Sequence, residues 1–142
     1  MLALLDVNAL IALFDVDHAH HARAKLWLDA NIQFGWATCP ITQNGMIRIM
    51  SQRSYPRAST TSDMAIRLRE AMAEPTHTFI CDDISFTDAM RVNADGVLTA
   101  ANTTDIYLLA LAFSHNARFV TFDHGVSLRA VVGATNAHLV KL

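Results

Sequence analysis

The sequence predicts an α/β fold, with a single domain built on a mainly parallel central sheet flanked by helices. Short apolar runs alternate with helical stretches along the 142 residues of the chain. No linker, repeat or low-complexity segment divides residues 1–142, and this length suits one domain. A hydrophobic content of 52% with 17% charged residues indicates that the chain can bury a substantial core.

The first half of the chain alternates strands with helices. Residues 2–5 are a short apolar run, typical of a strand buried on both faces, and Asp6 follows it directly. Pro40 suits the first position of a helix, where its missing N–H would have no partner. In order, the predicted elements are a strand at 2–5, helices at 8–14 and 20–31, a strand at 34–38, and helices at 41–52 and 63–73.

The second half contains the second strong helix signal. Apolar residues from Ile106 to Phe113 are spaced three and four apart, and Thr103 or Thr104 can cap the helix that contains them. Asp105 falls in its first turn, where the helix dipole favours a carboxylate. In order, the predicted elements are a strand at 77–81, a short helix at 85–91, a turn at 93–96, a helix at 103–115, a strand at 118–122, a short helical piece at 126–131 and an edge strand at 138–140.

Composition and charge exclude several classes of protein. No apolar run approaches the ~20 residues that cross a bilayer. The start lacks a basic region with a small-residue cleavage site, so we expect a cytoplasmic protein with no membrane partner. The formal net charge of −2 argues against a broad basic face that holds nucleic acid, and any such contact must be local.

The cysteines and histidines do not form a recognisable metal motif. Cys39 and Cys81 are too few for a disulfide framework, and we interpret both as small buried hydrophobic side chains. Three of the seven histidines cluster at the start of the second predicted helix: His18, His20 and His21. They lack the i, i+4 spacing of a helical metal pair, so we interpret them as a solvated helix start rather than a metal site.

Three aspartates are expected at one edge of the sheet. Two apolar strands lead directly into Asp6 and Asp123, and Asp105 begins the helix before the second of these strands. Right-handed crossovers make the two strands near neighbours and put the start of the helix at the same edge. In open α/β sheets this edge is where ligands bind.

A divalent cation would relieve the repulsion among Asp6, Asp105 and Asp123. Oxygen ligands suit Mg²⁺, or Mn²⁺, and a phosphate group is the natural substrate of such a site. We therefore expect these aspartates to hold Mg²⁺ and to hydrolyse a phosphodiester. Separate roles as caps and turn formers remain an alternative. Further oxygen ligands or hydrogen bonds are predicted from Asn8, Thr42, Asn44 and Thr121.

A local group of basic and aromatic residues is a candidate for RNA binding. Its members lie within residues 48–57: Arg48, Arg53, Tyr55 and Arg57. Arginine and tyrosine together can hold single-stranded RNA by phosphate contacts and base stacking. A solvated protein surface explains the same residues equally well.

Four segments together resemble a PIN-domain ribonuclease, specifically the VapC-type toxin. They are LLDVNALIALFD from Leu4, PITQNGMIRIMS from Pro40, TTDIYLLALAF from Thr103 and FVTFD from Phe119. The resemblance spans nearly the whole chain, so residues 1–142 are expected to form one PIN-like nuclease domain. It implies an Mg²⁺-dependent endoribonuclease, the toxin of a type II toxin–antitoxin system. It also implies that Asp6, Asp105 and Asp123 are the catalytic and metal-binding residues.

The same resemblance implies partners and shows one departure. VapC-type toxins are held inactive by a VapB-type antitoxin, and dimerisation is usual, so an antitoxin and a homodimer are expected. Gly45 stands where a glutamate is usual, with Asn44 beside it. Glycine inside a helix costs roughly 1 kcal/mol relative to alanine, which suggests close packing there. Three carboxylates can hold one Mg²⁺, whereas a second ion is expected to be weaker.

Two alternatives come from other classes. A phosphate-accepting receiver domain also has aspartates at strand ends, but it needs a lysine at the end of a late strand, and neither Lys25 nor Lys141 is so placed. A catalytically weak or inactive PIN-like binding module, acting through protein or RNA partners, would keep the fold without the chemistry. The missing acid at Gly45 keeps this second alternative open.

Overall fold

A five-stranded sheet forms the centre of the computed structural model, which describes residues 1–93 and 98–142. Its strand order is β3-β2-β1-β4-β5, and every neighbouring pair is parallel. The strands are β1 (Ala3–Leu5), β2 (Trp36–Thr38), β3 (His77–Phe79), β4 (Arg118–Thr121) and β5 (Leu139–Lys141). The predicted α/β class with a parallel sheet is confirmed, and β5 is an edge strand as expected. Lys141 is the last residue of β5, so the expectation that it does not lie at the end of a late strand is wrong.

Five α-helices lie in the part of the chain that the structure describes. They are α1 (Val7–Phe14), α2 (His21–Asn31), α3 (Pro40–Met50), α4 (Thr61–Met72) and α5 (Thr103–Ser114). Each agrees with a predicted helix to within a few residues. None of these helices is both long enough and apolar enough to cross a bilayer.

The hydrophobic core has two layers because side chains alternate along each strand. Leu4 of β1 and Phe119 of β4 face the layer that contains α5. Leu5 and Val120, one residue further along the same strands, face the layer that contains α1, α3 and α4. All four side chains are fully or almost fully buried. Helices on both faces therefore leave the carboxyl edge of the sheet as the place where strand ends and helix starts meet.

Several local predictions are wrong. Residues 85–91 form turns rather than a helix, because the Ser85 and Asp88 side chains accept the backbone N–H groups of Thr87 and Met90. The helical piece predicted at 126–131 is a single 3₁₀ turn, Leu128–Ala130.

Two further predictions need correction, and a third cannot be compared with the structure. Phe34 ends a 3₁₀ turn, Ile32–Phe34, and does not belong to β2, because Gly35 with a φ of 78° breaks the chain direction between them. Cys39 is buried as predicted, but Cys81 is exposed because it follows the edge strand β3. The turn predicted at 93–96 falls largely on residues 94–97, outside the described residues.

Candidate active site

Asp6 and Asp123 leave neighbouring strands at the same edge of the sheet, as the sequence predicts. β1 pairs with β4 in parallel register, and Asp6 continues that pairing through its N–H to the carbonyl of Val120 at 2.9 Å. The Thr121 hydroxyl donates to Oδ2 of Asp6 at 2.8 Å and accepts the N–H of Asp123 at 3.0 Å. Thr121 therefore connects the two aspartates directly, which agrees with its predicted supporting role.

Asp105 approaches the same edge from the first turn of α5. Its carboxyl group lies close enough to Asp6 and Asp123 for both to influence its pKa. Burial, followed by the negative charges of Asp6 and Asp123, raises the pKa of Asp105 to about 6. Burial also raises the pKa of Asp6, although the hydrogen bond from Thr121 opposes this increase. The structure thus brings the three predicted aspartates together.

A cleft of about 510 Å³ opens beside these carboxylates. Three helices form its walls: the start of α1, the middle of α3 and the start of α5. Its polar lining comes from Asp6, Asn8, Asn44, Arg48, Thr104 and Asp105, and its apolar lining from Val7, Ile41 and Ile49. The predicted supporting residues Asn8 and Asn44 therefore face the same cleft as two of the aspartates.

Gly45 lets α3 approach α1 at this cleft. A Cβ atom at position 45 would lie 2.6 Å from Cγ2 of Val7, closer than real side-chain contacts allow. Since Val7 is the first residue of α1 and directly follows Asp6, the two helices are closely packed next to this aspartate. The close packing predicted for Gly45 is confirmed.

Thr42 supports the helix start rather than the carboxylates. It is fully buried, and its hydroxyl accepts the Cys39 N–H at 3.0 Å and donates to the Cys39 carbonyl at 3.1 Å. These two bonds complete the backbone hydrogen bonding at the start of α3. Thr42 is thus the one predicted supporting residue that does not line the cleft or contact Asp6.

Of the four predicted RNA-binding residues, Arg48 lines the cleft, and two others lie at the opposite end of α1. There the Tyr55 hydroxyl donates to Oδ2 of Asp15 at 2.6 Å, and the Arg57 guanidinium donates to Oδ1 of Asp15 at 2.7 Å. The Tyr55 and Arg57 hydrogen bonds hold the pKa of Asp15 at about 2. Asp15, which the sequence indicated only as part of a polar break, anchors the loop after α3. Arg53 is an exposed residue of this loop.

The aspartates are neighbours but do not yet form a closed ligand set. Over residues 1–93 and 98–142, no three His, Cys, Asp or Glu side chains are arranged as a metal site. Asp6 Oδ1 accepts the Val7 N–H at 2.6 Å, and Asp123 Oδ1 accepts the Gly125 N–H at 2.6 Å. In each of these two aspartates, one carboxylate oxygen is thus bonded to the backbone.

The donor chemistry of the cleft nevertheless fits a hard divalent cation. All of its candidate ligands are oxygen atoms of carboxylates and amides, which Mg²⁺ and Mn²⁺ prefer. Burial and then the repulsion from Asp6 and Asp123 raise the pKa of Asp105, and such an ion removes the repulsive part of this cost. The clustered histidines do not contribute: the His20 ring stacks on Phe122 at 4.6 Å, and His21 Nδ1 contacts the Ala12 carbonyl at 2.8 Å.

Comparison with known proteins connects this chain with one family. The family model described as PIN domain matches residues 3–132. Ribonuclease VapC44 of Mycobacterium tuberculosis is 44% identical over 142 residues, which are 100% of both chains. Ribonuclease VapC39 of the same organism is 42% identical over 134 residues, covering 94% of this chain and 96% of that protein. All three clustered aspartates lie inside the region that the family model matches.

Solved structures share the fold at low sequence identity. VapBC2 from Rickettsia felis, in a complex with a DNA fragment from its promoter, superposes with a TM-score of 0.67 at 15% identity. This match covers 100% of this chain and 99% of that one. VapC20 of Mycobacterium tuberculosis, a toxin that cleaves the sarcin-ricin loop, has a TM-score of 0.59 at 16% identity and covers 93% of this chain and 98% of that one. At such identities the likeness shows the architecture alone.

Proposed function

This chain belongs to the PIN domain family, among its VapC members, and we propose that it is an endoribonuclease that acts as the toxin of a type II toxin–antitoxin system. The observation that carries this proposal is the convergence of Asp6, Asp105 and Asp123 beside one open cleft. The similarity to ribonuclease VapC44 extends over the entire chain and supports the same activity. The substrate is RNA, and the reaction is hydrolysis of its phosphodiester bonds.

We propose that the activity depends on Mg²⁺, with Mn²⁺ as a substitute. Asp6, Asp105 and Asp123 would hold the ion, and the Asn8 and Asn44 amides would contribute directly or through water. When bound, such an ion polarises the phosphodiester and lowers the pKa of bound water.

In this proposal, hydrogen bonds from neighbouring residues orient the Asp6 carboxylate. The Val7 N–H and the Thr121 hydroxyl each bind one oxygen of Asp6, so its carboxylate is oriented before substrate arrives. Asp6 is 4% exposed, and this burial strengthens every electrostatic interaction it makes. In the hydrolysis, a water oxygen bonds to phosphorus, the P–O bond to the leaving oxygen breaks, and that oxygen receives a proton.

The placement of the candidate RNA-binding residues suggests how a strand would lie. Arg48 faces the cleft and is suited to contact phosphate next to the aspartates. Tyr55 and Arg57 lie near Asp15, at the far end of the eight-residue helix α1. Such a helix is about 12 Å long. We propose that Arg53, Tyr55 and Arg57 contact only RNA that extends past the cleft along α1.

The proposed partners follow from the relatives. The Rickettsia felis structure is of a VapBC2 complex, and we extend this to propose a VapB-type antitoxin for the present chain. We also propose a homodimer, because the resemblance to VapC-type toxins implies one.

A second candidate function is a catalytically weak binding module that keeps the fold and its partners. The observation in its favour is that α3 has a glycine, Gly45, packed closely against Val7 at the cleft. At this point α3 therefore has no acidic side chain. The absence of a closed ligand set among the described residues supports the same reading. Both candidates share the fold, so only chemistry distinguishes them.

The test uses the chain purified free of antitoxin and incubated with structured RNA in Mg²⁺ or in EDTA. We expect cleavage in Mg²⁺ and none in EDTA, and we expect Asp6→Ala to abolish it. Asp29→Ala, on the exposed face of α2, is the matched control and should cleave normally. Equal cleavage by all samples would indicate a contaminant or another mechanism. No cleavage across total cellular RNA would favour the binding module.

A further inference from the structure

We propose that the cleft is built for a single metal ion and that the Arg48 guanidinium provides the second positive charge, binding non-bridging oxygens of the scissile phosphate. This inference rests on the proposed ribonuclease function and specifies how its site handles charge. It arises from the wall that α1 and α3 present to the cleft, opposite Asp105. Three features of this wall carry it: a closed position at Gly45, a cation at Arg48 that no described residue pairs with, and neutral amides at Asn8 and Asn44.

The closed position is set by Val7. A Cβ at residue 45 would lie 2.6 Å from Cγ2 and 3.2 Å from Cγ1 of Val7, so a side chain here requires the Val7 side chain or one of the two helices to shift. The remaining polar residues of α3 at the cleft are Asn44 and Arg48. Within the described residues, Asp6 and Asp105 are the only acidic side chains that line the cleft. The α3 wall therefore offers no carboxylate to a second ion.

The hydrogen bonds of the carboxylates also limit their capacity. Asp6 accepts the Val7 N–H with one oxygen and the Thr121 hydroxyl with the other. Asp123 accepts the Gly125 N–H with Oδ1. A two-metal site places its ions about 4 Å apart and needs ligands on both sides of the pair. The Asp6 and Asp123 oxygens that already accept hydrogen bonds lie on one side of this cleft. They suffice for one Mg²⁺, because this ion uses one or two carboxylates and keeps several waters.

Arg48 is available for phosphate because none of residues 1–93 and 98–142 pairs with its charge. It is exposed, it makes no side-chain hydrogen bond or ion pair with any described residue, and it is the only basic side chain among the described residues that line the cleft. Arg57 and Arg67 differ, since Arg57 binds Asp15 and Arg67 binds the Phe14 carbonyl. A guanidinium binds two phosphate oxygens with its planar fork, and its charge disfavours a second divalent ion nearby.

The primary experiment counts ions without RNA present. Calorimetric titration of the unmodified protein with Mn²⁺ should give one ion per chain, and Arg48→Gln should keep that one ion with equal or tighter affinity. Two ions in the unmodified protein would overturn the inference while leaving the ribonuclease proposal intact. Loss of the ion in Arg48→Gln would also overturn it. A protein that binds no ion and cleaves no RNA would instead contradict the proposed function itself.

The second experiment tests the contact with phosphate. Anisotropy with a fluorescent 2′-O-methyl RNA 12-mer should show that Arg48→Gln weakens binding about tenfold, with partial recovery in Arg48→Lys. Arg69→Gln, an exposed arginine of α4 outside the cleft, is the matched control and should bind as the unmodified protein does. Equal binding by the Arg48→Gln and Arg69→Gln proteins would overturn the role of Arg48.

A third experiment adds the missing carboxylate and asks whether a second ion then binds. In a Val7→Ala background the wall has room for a side chain at residue 45. The Val7→Ala/Gly45→Glu protein should therefore bind a second Mn²⁺, and the Val7→Ala protein should not. Thermal unfolding of both proteins checks that they remain folded. If the folded double variant still binds one ion, the closed position does not decide the ion count, and the inference fails.

Discussion

The Thr121 hydroxyl donates a 2.8 Å hydrogen bond to Oδ2 of Asp6, joining the ends of β4 and β1 across 115 positions of the sequence. The Thr121 hydroxyl oxygen also accepts the Asp123 N–H at 3.0 Å. Thr121 is fully buried, so water cannot replace it in either bond. One side chain on the central sheet therefore orients one candidate ligand and fixes the backbone of another.

Thr121→Val should damage both stability and cleavage. It leaves a buried carboxylate oxygen and a backbone N–H without their partner, and we expect the free energy of unfolding to fall by about 1–3 kcal/mol. The pKa of Asp6 should rise further, because the hydrogen bond from Thr121 lowers it. Urea unfolding and an RNA cleavage assay measure the two effects. Thr121→Ser keeps the hydroxyl and should retain most of the activity; an equal loss in both variants would contradict this role for the hydroxyl.

Asp105→Asn should stabilise the metal-free protein at high pH while abolishing cleavage. The pKa of Asp105 is about 6 in the folded chain, above its ordinary value of 3.8. Ionisation therefore opposes folding, with no penalty below the unfolded pKa, a growing penalty between 3.8 and 6, and the full penalty above. Because the carboxyl is partly exposed, solvent screening reduces the gain at pH 8 to about 1 kcal/mol.

The measurement for Asp105→Asn is chemical unfolding in EDTA at pH 8 and at pH 4. The variant should exceed the unmodified protein at pH 8 and match it at pH 4. Addition of Mg²⁺ should then raise the Tm of the unmodified protein and have a much smaller effect on the variant, since an ion that binds only the folded state stabilises it. A variant that is less stable at both pH values would show that Asp105 is not under electrostatic stress.

The sequence identifies the elements that bring the aspartates together because each is long or strongly patterned. The apolar run before Asp6, the helical spacing after Asp105 and the apolar strand before Asp123 all correspond to observed elements. β1 and β4 are neighbours in the sheet, as expected for right-handed crossovers that place them side by side. Convergence of the three aspartates was therefore predictable from local pattern and one general rule of topology.

Side-chain partnerships were less accessible from the sequence. Tyr55 and Arg57 have the composition of an RNA-binding loop, but their hydrogen bonds go to Asp15, forty or more residues earlier. No local pattern reveals such a pairing, because it depends on how α1 and α3 pack. The partners of Thr42 were equally hard to predict, although they are close in the sequence. Its hydrogen bonds to Cys39 stabilise the start of α3 and do not reach the cleft. The missing helix at 85–91 reflects competition by short polar side chains for the backbone.

Tyr55→Phe should cost stability at neutral pH and progressively less in acid. The hydrogen bond from Tyr55 is the largest cause of the low pKa of Asp15, which is about 2 against an ordinary 3.8. For a lowered carboxyl pKa, the stabilisation is complete above 3.8 and is lost as the pH falls toward 2. We expect a penalty of about 1 kcal/mol at pH 7 that shrinks between pH 4 and pH 2. Urea unfolding across this range measures it.

The control for Tyr55→Phe is Tyr107→Phe. The Tyr107 hydroxyl reaches the Ile84 carbonyl at 3.5 Å, and a carbonyl does not titrate. Its penalty should therefore be small and constant between pH 4 and pH 2. If the two variants show the same pH dependence, the Asp15 bond is not its source.

Gly45→Ala should destabilise the chain although alanine favours helices more than glycine by roughly 1 kcal/mol. The added methyl would lie 2.6 Å from Cγ2 of Val7, and a β-branched side chain at the start of α1 has little freedom to move aside. Overpacking of this kind typically costs about 1–3 kcal/mol, so we expect a net loss of about 1 kcal/mol.

In a Val7→Ala background the clash is absent, and the Gly45→Ala substitution should stabilise the chain by about 1 kcal/mol. A double-mutant cycle by urea unfolding gives the coupling free energy between the two positions. Coupling near zero would show that Gly45 and Val7 do not constrain each other, and the separation of α1 from α3 at the cleft would then need another cause.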